Sequence, residues 1–368
     1  MEIQELLDRI LSPHQITQSF SAIVGFDDVK FTLKTTVENP IKFRRYIENQ
    51  PTNGIIMFSE PGNGKSLFAR SLAKEININF LQVKSGEIDS KFYAVASQNL
   101  IQIFKVAKTK SPILLFLDEI DGLFANREQD SSSHNKQLVN TLLTELDESR
   151  GSVFLCATTN SPWSLDPALI RRLKTIYVRP PTDQERSLLM TKFLAGKAQL
   201  GDGDMQVLSK KTEKYSNADI EALINMAFHL NISRVQKAKH FLKKKGPTDI
   251  YAKYVPCFCK NPTCGGLNRS LADFPSDVIE FPPITISILE EALAIQKGSK
   301  NSNQDKMNNF IRLHGDGIIG SGVKNCNNET FRTRSKFKFK HLIVFTFCVF
   351  CTTIVLFLFI TFVVMEQF

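Results

Sequence analysis

Residues 59–66, Ser-Glu-Pro-Gly-Asn-Gly-Lys-Ser, constrain this chain more than any other stretch. They follow the apolar run Ile55-Ile56-Met57-Phe58 and lead into Leu67-Phe68-Ala69-Arg70-Ser71-Leu72-Ala73, which has helical apolar spacing. Strand, glycine-bearing turn and helix, in that order, aim backbone N–H groups and a helix N-terminus at an anionic phosphate. The candidate nucleotide-contacting run is therefore Pro61, Gly62, Asn63, Gly64, Lys65, Ser66 and Leu67. In such a loop the lysine reaches the β- and γ-phosphates, and the Ser66 hydroxyl completes a Mg²⁺ shell. Ser59 departs from the pattern G-x-x-x-x-G-K-[ST], which begins with glycine. A glycine turn alone can merely connect a strand to a helix, so a second motif has to decide.

That motif is Ile113-Leu114-Leu115-Phe116-Leu117-Asp118-Glu119, an apolar strand ending in two carboxylates. Asp118 is placed to hold Mg²⁺ through water, and Glu119 to polarise an attacking water as general base. Seen alone, such a pair could cap a helix instead; beside a phosphate loop, it reads as ATP hydrolysis. A third strand, Val153-Phe154-Leu155-Cys156-Ala157, runs into Thr158-Thr159-Asn160, where the Asn160 amide can orient that water or merely start a turn before Pro162. Arg171 and Arg172 follow a short helical turn. Arginine gives a phosphate planar, permanently charged donors, and the distance along the chain suggests action on a neighbouring subunit; the alternative is a solvated face.

The order of elements divides the 368 residues. Residues 1–20 form a short helix-like lead. Residues 21–183 alternate helical segments with strand candidates at 55–58, 80–83, 113–117, 153–157 and 176–178, the pattern of a parallel sheet covered on both faces. From residue 184 to 315 the pattern is helical, opened by the capping sequence Thr182-x-x-Glu185 and continued by Ser216-x-x-Asp219. Pro, Gly and Cys interrupt it at 250–284. Residues 316–341 are a basic linker, and residues 342–365 run 24 positions without a charge, enough to span a bilayer as a transmembrane helix. Lys336, Lys338 and Lys340 before it favour a body facing the cytosol.

Net charge is +9. Between residues 306 and 340 eight Lys or Arg face two acids, so much of the excess is local, and no nucleic-acid partner is expected. Seven scattered cysteines and a polar start suit a reducing compartment. Cys257, Cys259 and Cys264 lack an evident fourth ligand for Zn²⁺ and read better as free thiols.

Together these motifs resemble the AAA ATPases over residues 20–315. The entry segment Phe20-Ser21-Ala22-Ile23-Val24-Gly25-Phe26-Asp27-Asp28 matches the family's, whose backbone at Val24 and Gly25 contacts adenine. Residues 59–66, 113–119, Asn160 and Arg171-Arg172 match Walker A, Walker B, sensor 1 and the arginine fingers. Tyr215-Ser216-Asn217-Ala218-Asp219 matches the sensor 2 segment, in which Ala218 faces the nucleotide and Asn217 replaces a glycine. Lys91, Phe92 and Tyr93 occupy the place of the aromatic loop that grips a threaded polypeptide, and residues 126–134 that of the second pore loop. Within the family the meiotic clade is most similar, above all the vacuolar protein sorting-associated protein 4 type, with katanin and spastin as relatives. Ala94-Val95-Ala96-Ser97 stands where that clade has Gly-Glu-Ser-Glu.

The resemblance implies an α/β P-loop AAA module followed by a small α-helical domain with a short β insertion. It implies ATP and Mg²⁺ as cofactors, a homohexamer, and protein substrates that are remodelled or unfolded; the charge-free segment 342–365 is what places that work at a membrane. The most specific form is disassembly of ESCRT-III-like filaments at an endosomal membrane. Alternatives are microtubule severing, as in katanin and spastin, and a non-hydrolysing membrane scaffold.

Overall fold

In a computed structural model, the apolar runs become five strands: β1 (Gly54–Phe58), β2 (Asn79–Lys84), β3 (Ile113–Asp118), β4 (Val153–Thr159) and β5 (Lys174–Tyr177). The structure describes residues 3–43, 53–88, 93–124, 132–201, 203–244, 253–258, 265–275, 277–299 and 303–314. All strand pairings in the sheet are parallel, in the order β2-β3-β4-β1-β5. Every residue of β1 and β4 is buried, as expected of a parallel sheet covered on both faces. Successive side chains alternate between two cores: Ile113, Leu115 and Leu117 enter one, Leu114 and Phe116 the other.

The covering helices follow from chain order. On one face lie α1 (Ile3–Asp8), α4 (Ser85–Ile88), α5 (Tyr93–Thr109), α6 (Asp121–Phe124), α7 (Ser132–Glu148) and α8 (Pro167–Arg172); on the other lie α2 (Asp27–Lys42) and α3 (Lys65–Glu75). The lead is part of this body. Leu6 is fully buried, Leu11 exchanges two 2.9 Å backbone hydrogen bonds with Phe80, and the Arg9 guanidinium holds Glu87. The Leu11 bonds, with one from Arg9 to the Gln82 carbonyl, occupy backbone groups along the open side of β2, which would otherwise be a sheet edge.

A second core gathers α9 (Asp183–Leu194), α10 (Asp204–Lys211), α11 (Asn217–Gln236) and α12 (Ile286–Ile295). Both capping sequences form reciprocal boxes: Thr182 with Glu185, and Ser216 with Asp219. Between α11 and α12 a small antiparallel sheet, β6 (His240–Lys244), β7 (Lys253–Cys257) and β8 (Leu267–Asn268), is ordered β7-β6-β8 and packs Phe241 on Phe274. Finally α13 (Gln304–His314) returns to the α/β body, where Phe310 meets Phe58 edge-on at 5.1 Å. Residues 316–341 and the expected transmembrane segment 342–365 lie outside the described residues. Among the described residues no helix is long and apolar enough to cross a membrane.

Sheet order positions the site. β4 lies between β1 and β3, so the polar residues at its C-terminal end fall between the phosphate loop and Asp118. A crevice at the carboxyl ends of parallel strands is where open α/β sheets bind ligands.

Candidate active site

At the end of β1 the chain turns through Gly62 (φ +84°) and Gly64 (φ +83°) before α3 begins at Lys65. Glycine is required at 62 on two counts: the left-handed backbone, and a Cβ there would lie 2.7 Å from Ser216 Oγ. The Lys65 ammonium is buried and donates to Asn160 Oδ1 at 2.6 Å, Ser59 Oγ at 3.0 Å and the Ser59 carbonyl at 3.3 Å. Burial pushes its pKa down to about 8, against the opposing pull of Asp118, Glu60, Asp121 and Glu119.

One residue along, Ser66 Oγ donates to Asp118 Oδ2 at 3.1 Å. The other carboxylate oxygen, Oδ1, accepts from Thr158 Oγ1 at 2.5 Å, and Thr158 in turn accepts the Glu119 N–H at 3.1 Å. Thr158 thus aligns both acids of the β3 terminus, a role the sequence reading did not give it; its signal was a hydroxyl at the end of an otherwise apolar strand. Glu119 is exposed and holds a left-handed backbone, φ +55°, unusual for a residue with a Cβ.

These residues fit MgATP. A hydroxyl and a carboxylate are hard oxygen donors, and Mg²⁺ is ordinarily held by one or two such groups together with substrate phosphates. Among the described residues no cluster of three or more His, Cys, Asp or Glu forms a protein-only metal cage. Asn63 Oδ1 and Asn217 Oδ1 are buried beside the loop without a hydrogen-bond partner, leaving polar capacity there.

The helical part closes over the loop through the start of α11. The Ala218 N–H donates to the Gly62 carbonyl at 3.1 Å, and Asn217 Nδ2 to the Asn63 carbonyl at 3.4 Å. On the opposite flank Val24 packs on the helical core, and Gly25 (φ +69°) has no room for a Cβ, which would lie 2.5 Å from Glu185 Cγ. Behind it, Glu185 accepts the Phe26 N–H at 2.7 Å and pairs with Arg179, which also holds Asp28. Burial alone would raise the Glu185 carboxyl; Arg179 and the N–H groups of Thr182 and Phe26 outweigh it and hold the pKa down at about 2. Glu60, also unassigned by the sequence reading, accepts from Tyr177 Oη at 3.2 Å and Gln304 Nε2 at 3.4 Å, linking the loop to β5 and α13.

The arginine pair is not in this constellation. Arg172 pairs with Asp147 on α7 at 2.8 Å, both half-exposed. Arg171 lines a cavity of about 420 Å³ between α8 and α13, with Trp163, Phe310 and Leu313. Lys91 and Phe92 lie outside the described residues; Tyr93 opens α5. Of residues 126–134, those from 132 onward begin α7. Cys259 and Cys264 are likewise outside the described residues.

Residues 55–181 match the family model "ATPase family associated with various cellular activities (AAA)". The chain carries an AAA ATPase domain. Vacuolar protein sorting-associated protein 4B of Pongo abelii is 29% identical over 299 residues, 77% of this chain and 67% of that protein. This chain therefore spans about two thirds of the length of that relative. Among solved structures, the FIGL-1 AAA domain superposes with a TM-score of 0.66 at 20% identity, covering 86% of this chain and 96% of that one, a likeness of fold. A chain from the structural basis for katanin self-assembly gives 0.59 at 25% identity, covering 82% and 92%. The family resemblance read from the motifs is borne out, and with it ATP hydrolysis as the class of reaction.

Proposed function

We propose that this chain hydrolyses MgATP at the C-terminal rim of the five-stranded sheet and uses the reaction to pull protein assemblies apart at a membrane, as one subunit of a homohexamer. The observation that carries the chemistry is two hydrogen-bonded sets at one rim, Lys65 with Ser59 and Asn160, and Ser66 with Asp118 and Thr158, joined by the Lys65–Ser66 peptide bond. In this reading the glycine loop binds the phosphates. Lys65 and Asn160 meet the terminal phosphate, and Ser66 and Asp118 hold Mg²⁺. When bound, the metal neutralises developing phosphate charge. Glu119, exposed beside Asp118, takes the proton of the attacking water. Val24, Gly25 and Ala218 border the base and sugar. Arg171 and Arg172 act on a neighbour's nucleotide, consistent with their placement away from the chain's own loop.

The relation to vacuolar protein sorting-associated protein 4B over 77% of the chain supports an ESCRT-III-like filament as substrate. Lys91, Phe92 and Tyr93 are the proposed gripping residues. Residues 342–365 are the proposed anchor, with the body facing the cytosol, at an endosomal membrane as the most specific version. The likeness to a katanin chain supports microtubule severing as the second reading. The full-length Glu119→Gln protein should retain nucleotide binding and lose about 10²–10⁴-fold in turnover, the usual contribution of a general base. Turnover equal to wild type would sink the assignment. Proteins trapped on that variant distinguish filament subunits from tubulin.

A further inference from the structure

Position 59 holds serine where the phosphate-loop pattern has glycine, and the structure gives that hydroxyl a defined job. Ser59 is fully buried and outside the left-handed residues of the chain, so its backbone does not call for glycine. Its Oγ donates to the Glu60 carbonyl at 2.8 Å. With its one proton so engaged, Oγ offers only lone pairs, and it accepts from Lys65 Nζ at 3.0 Å. The ammonium has three N–H donors. Asn160 Oδ1 at 2.6 Å, Ser59 Oγ at 3.0 Å and the carbonyls of Ser59 and Glu60 at 3.3 and 3.5 Å receive them. A phosphate oxygen can therefore engage Lys65 only by displacing one of these acceptors. A glycine at 59 would remove the Oγ acceptor and leave the other three in place.

We propose that Ser59 is a positioning residue that holds the Lys65 ammonium back against the base of the loop and thereby weakens the grip on the β- and γ-phosphates. It acts through Lys65 and touches no phosphate itself. The consequence is an ATPase tuned to a lower nucleotide affinity than the same loop would have with glycine. The inference rests on the reading of Lys65 as the phosphate-contacting lysine.

The test is equilibrium titration of the full-length protein with MgADP and with a slowly hydrolysed ATP analogue, alongside steady-state KM and kcat. Loss of a hydrogen bond to a charged donor, partly compensated by the remaining carbonyls, should tighten both nucleotides by about 5–10-fold in Ser59→Gly. Ser59→Ala, which removes the hydroxyl without adding backbone freedom, should do the same, and KM for ATP should fall in step. A mere packing role predicts the opposite, weaker binding in both variants. Unchanged or weakened affinity in the two variants overturns the proposal. Lys65→Ala separates that failure from failure of the site reading. If its nucleotide binding equals wild type, Lys65 is not the phosphate contact and both inferences fall; if its binding collapses while the Ser59 variants match wild type, only the Ser59 role is lost.

Discussion

Arg172 and Arg179 follow one another closely along the chain, at the end of α8 and just beyond β5, and each holds a carboxylate. Their surroundings separate them. Arg179 is flanked by Asp28 and Glu185 and lies over the Phe26 ring at 4.9 Å, so entry segment, sheet and α9 meet on one guanidinium. Arg172 reaches Asp147 across open surface. A partly buried charge with three partners cannot leave without stranding a carboxylate, whereas an exposed pair exchanges partners at little cost. Arg179 is fixed architecture; Arg172 can exchange its partner, which its proposed role on a neighbouring subunit requires.

Breaking the fixed network should have the largest effect. Glu185→Ala leaves Arg179 short of its main partner and should destabilise the protein by about 3–5 kcal/mol in chemical denaturation. The same network gives the wild type an acid limit. The folded pKa of Glu185, about 2, lies below that of an unfolded glutamate, about 4.3. Its contribution, roughly 3 kcal/mol by linkage, is therefore complete above about pH 5 and lost as pH falls toward 2. The raised pKa of Arg179 is the other face of the same pair and adds nothing further. Glu185→Gln should flatten stability over that window; an unchanged acid profile would mean that the carboxylate is not what couples these elements.

An apolar joint provides the intermediate case. Phe310 is buried against Phe58 and Tyr177, and its truncation to alanine should cost about 3 kcal/mol in urea unfolding, near the low end for a buried Phe. A pH-independent loss would distinguish this joint from the Glu185 network. The smallest effect belongs to the exposed pair. Asp147→Asn should shift stability by no more than about 1 kcal/mol. If Arg172 serves a neighbour, releasing it should leave ATP turnover of the assembled protein equal or higher. A fall in turnover with stability intact would show that Asp147 holds Arg172 in its working position.

The five strands were legible because apolar runs and a 3.6-residue helical period are local signals, and so were the two capping boxes, whose partners are three residues apart. Lys65, Ser66 and Asp118 could be named because chemistry at a phosphate fixes both residue types and order. Thr158 could not: a hydroxyl on β4 aligning acids on β3 depends on which strands are neighbours, and sheet order is not written in any one strand. Gly25 was read for its backbone, yet part of the reason for glycine there is Glu185, far along the chain. The docking of Leu11 on Phe80 depends likewise on which strand the fold leaves at the edge. For the arginines, composition showed two adjacent cations, while only the position of Asp147 shows that one of them already has a local partner.

Glu119 carries one more implication. Its left-handed backbone is accommodated more easily by glycine or asparagine than by a residue with a longer side chain. With Glu119 as the proposed general base, the substitution that relaxes the chain is also the one that removes the base, so improvement of the fold and retention of the reaction pull in opposite directions. A lineage drifting without demand for ATP turnover would have a downhill route to losing it here. On that assignment the left-handed glutamate is a cost to the fold that only the reaction requires.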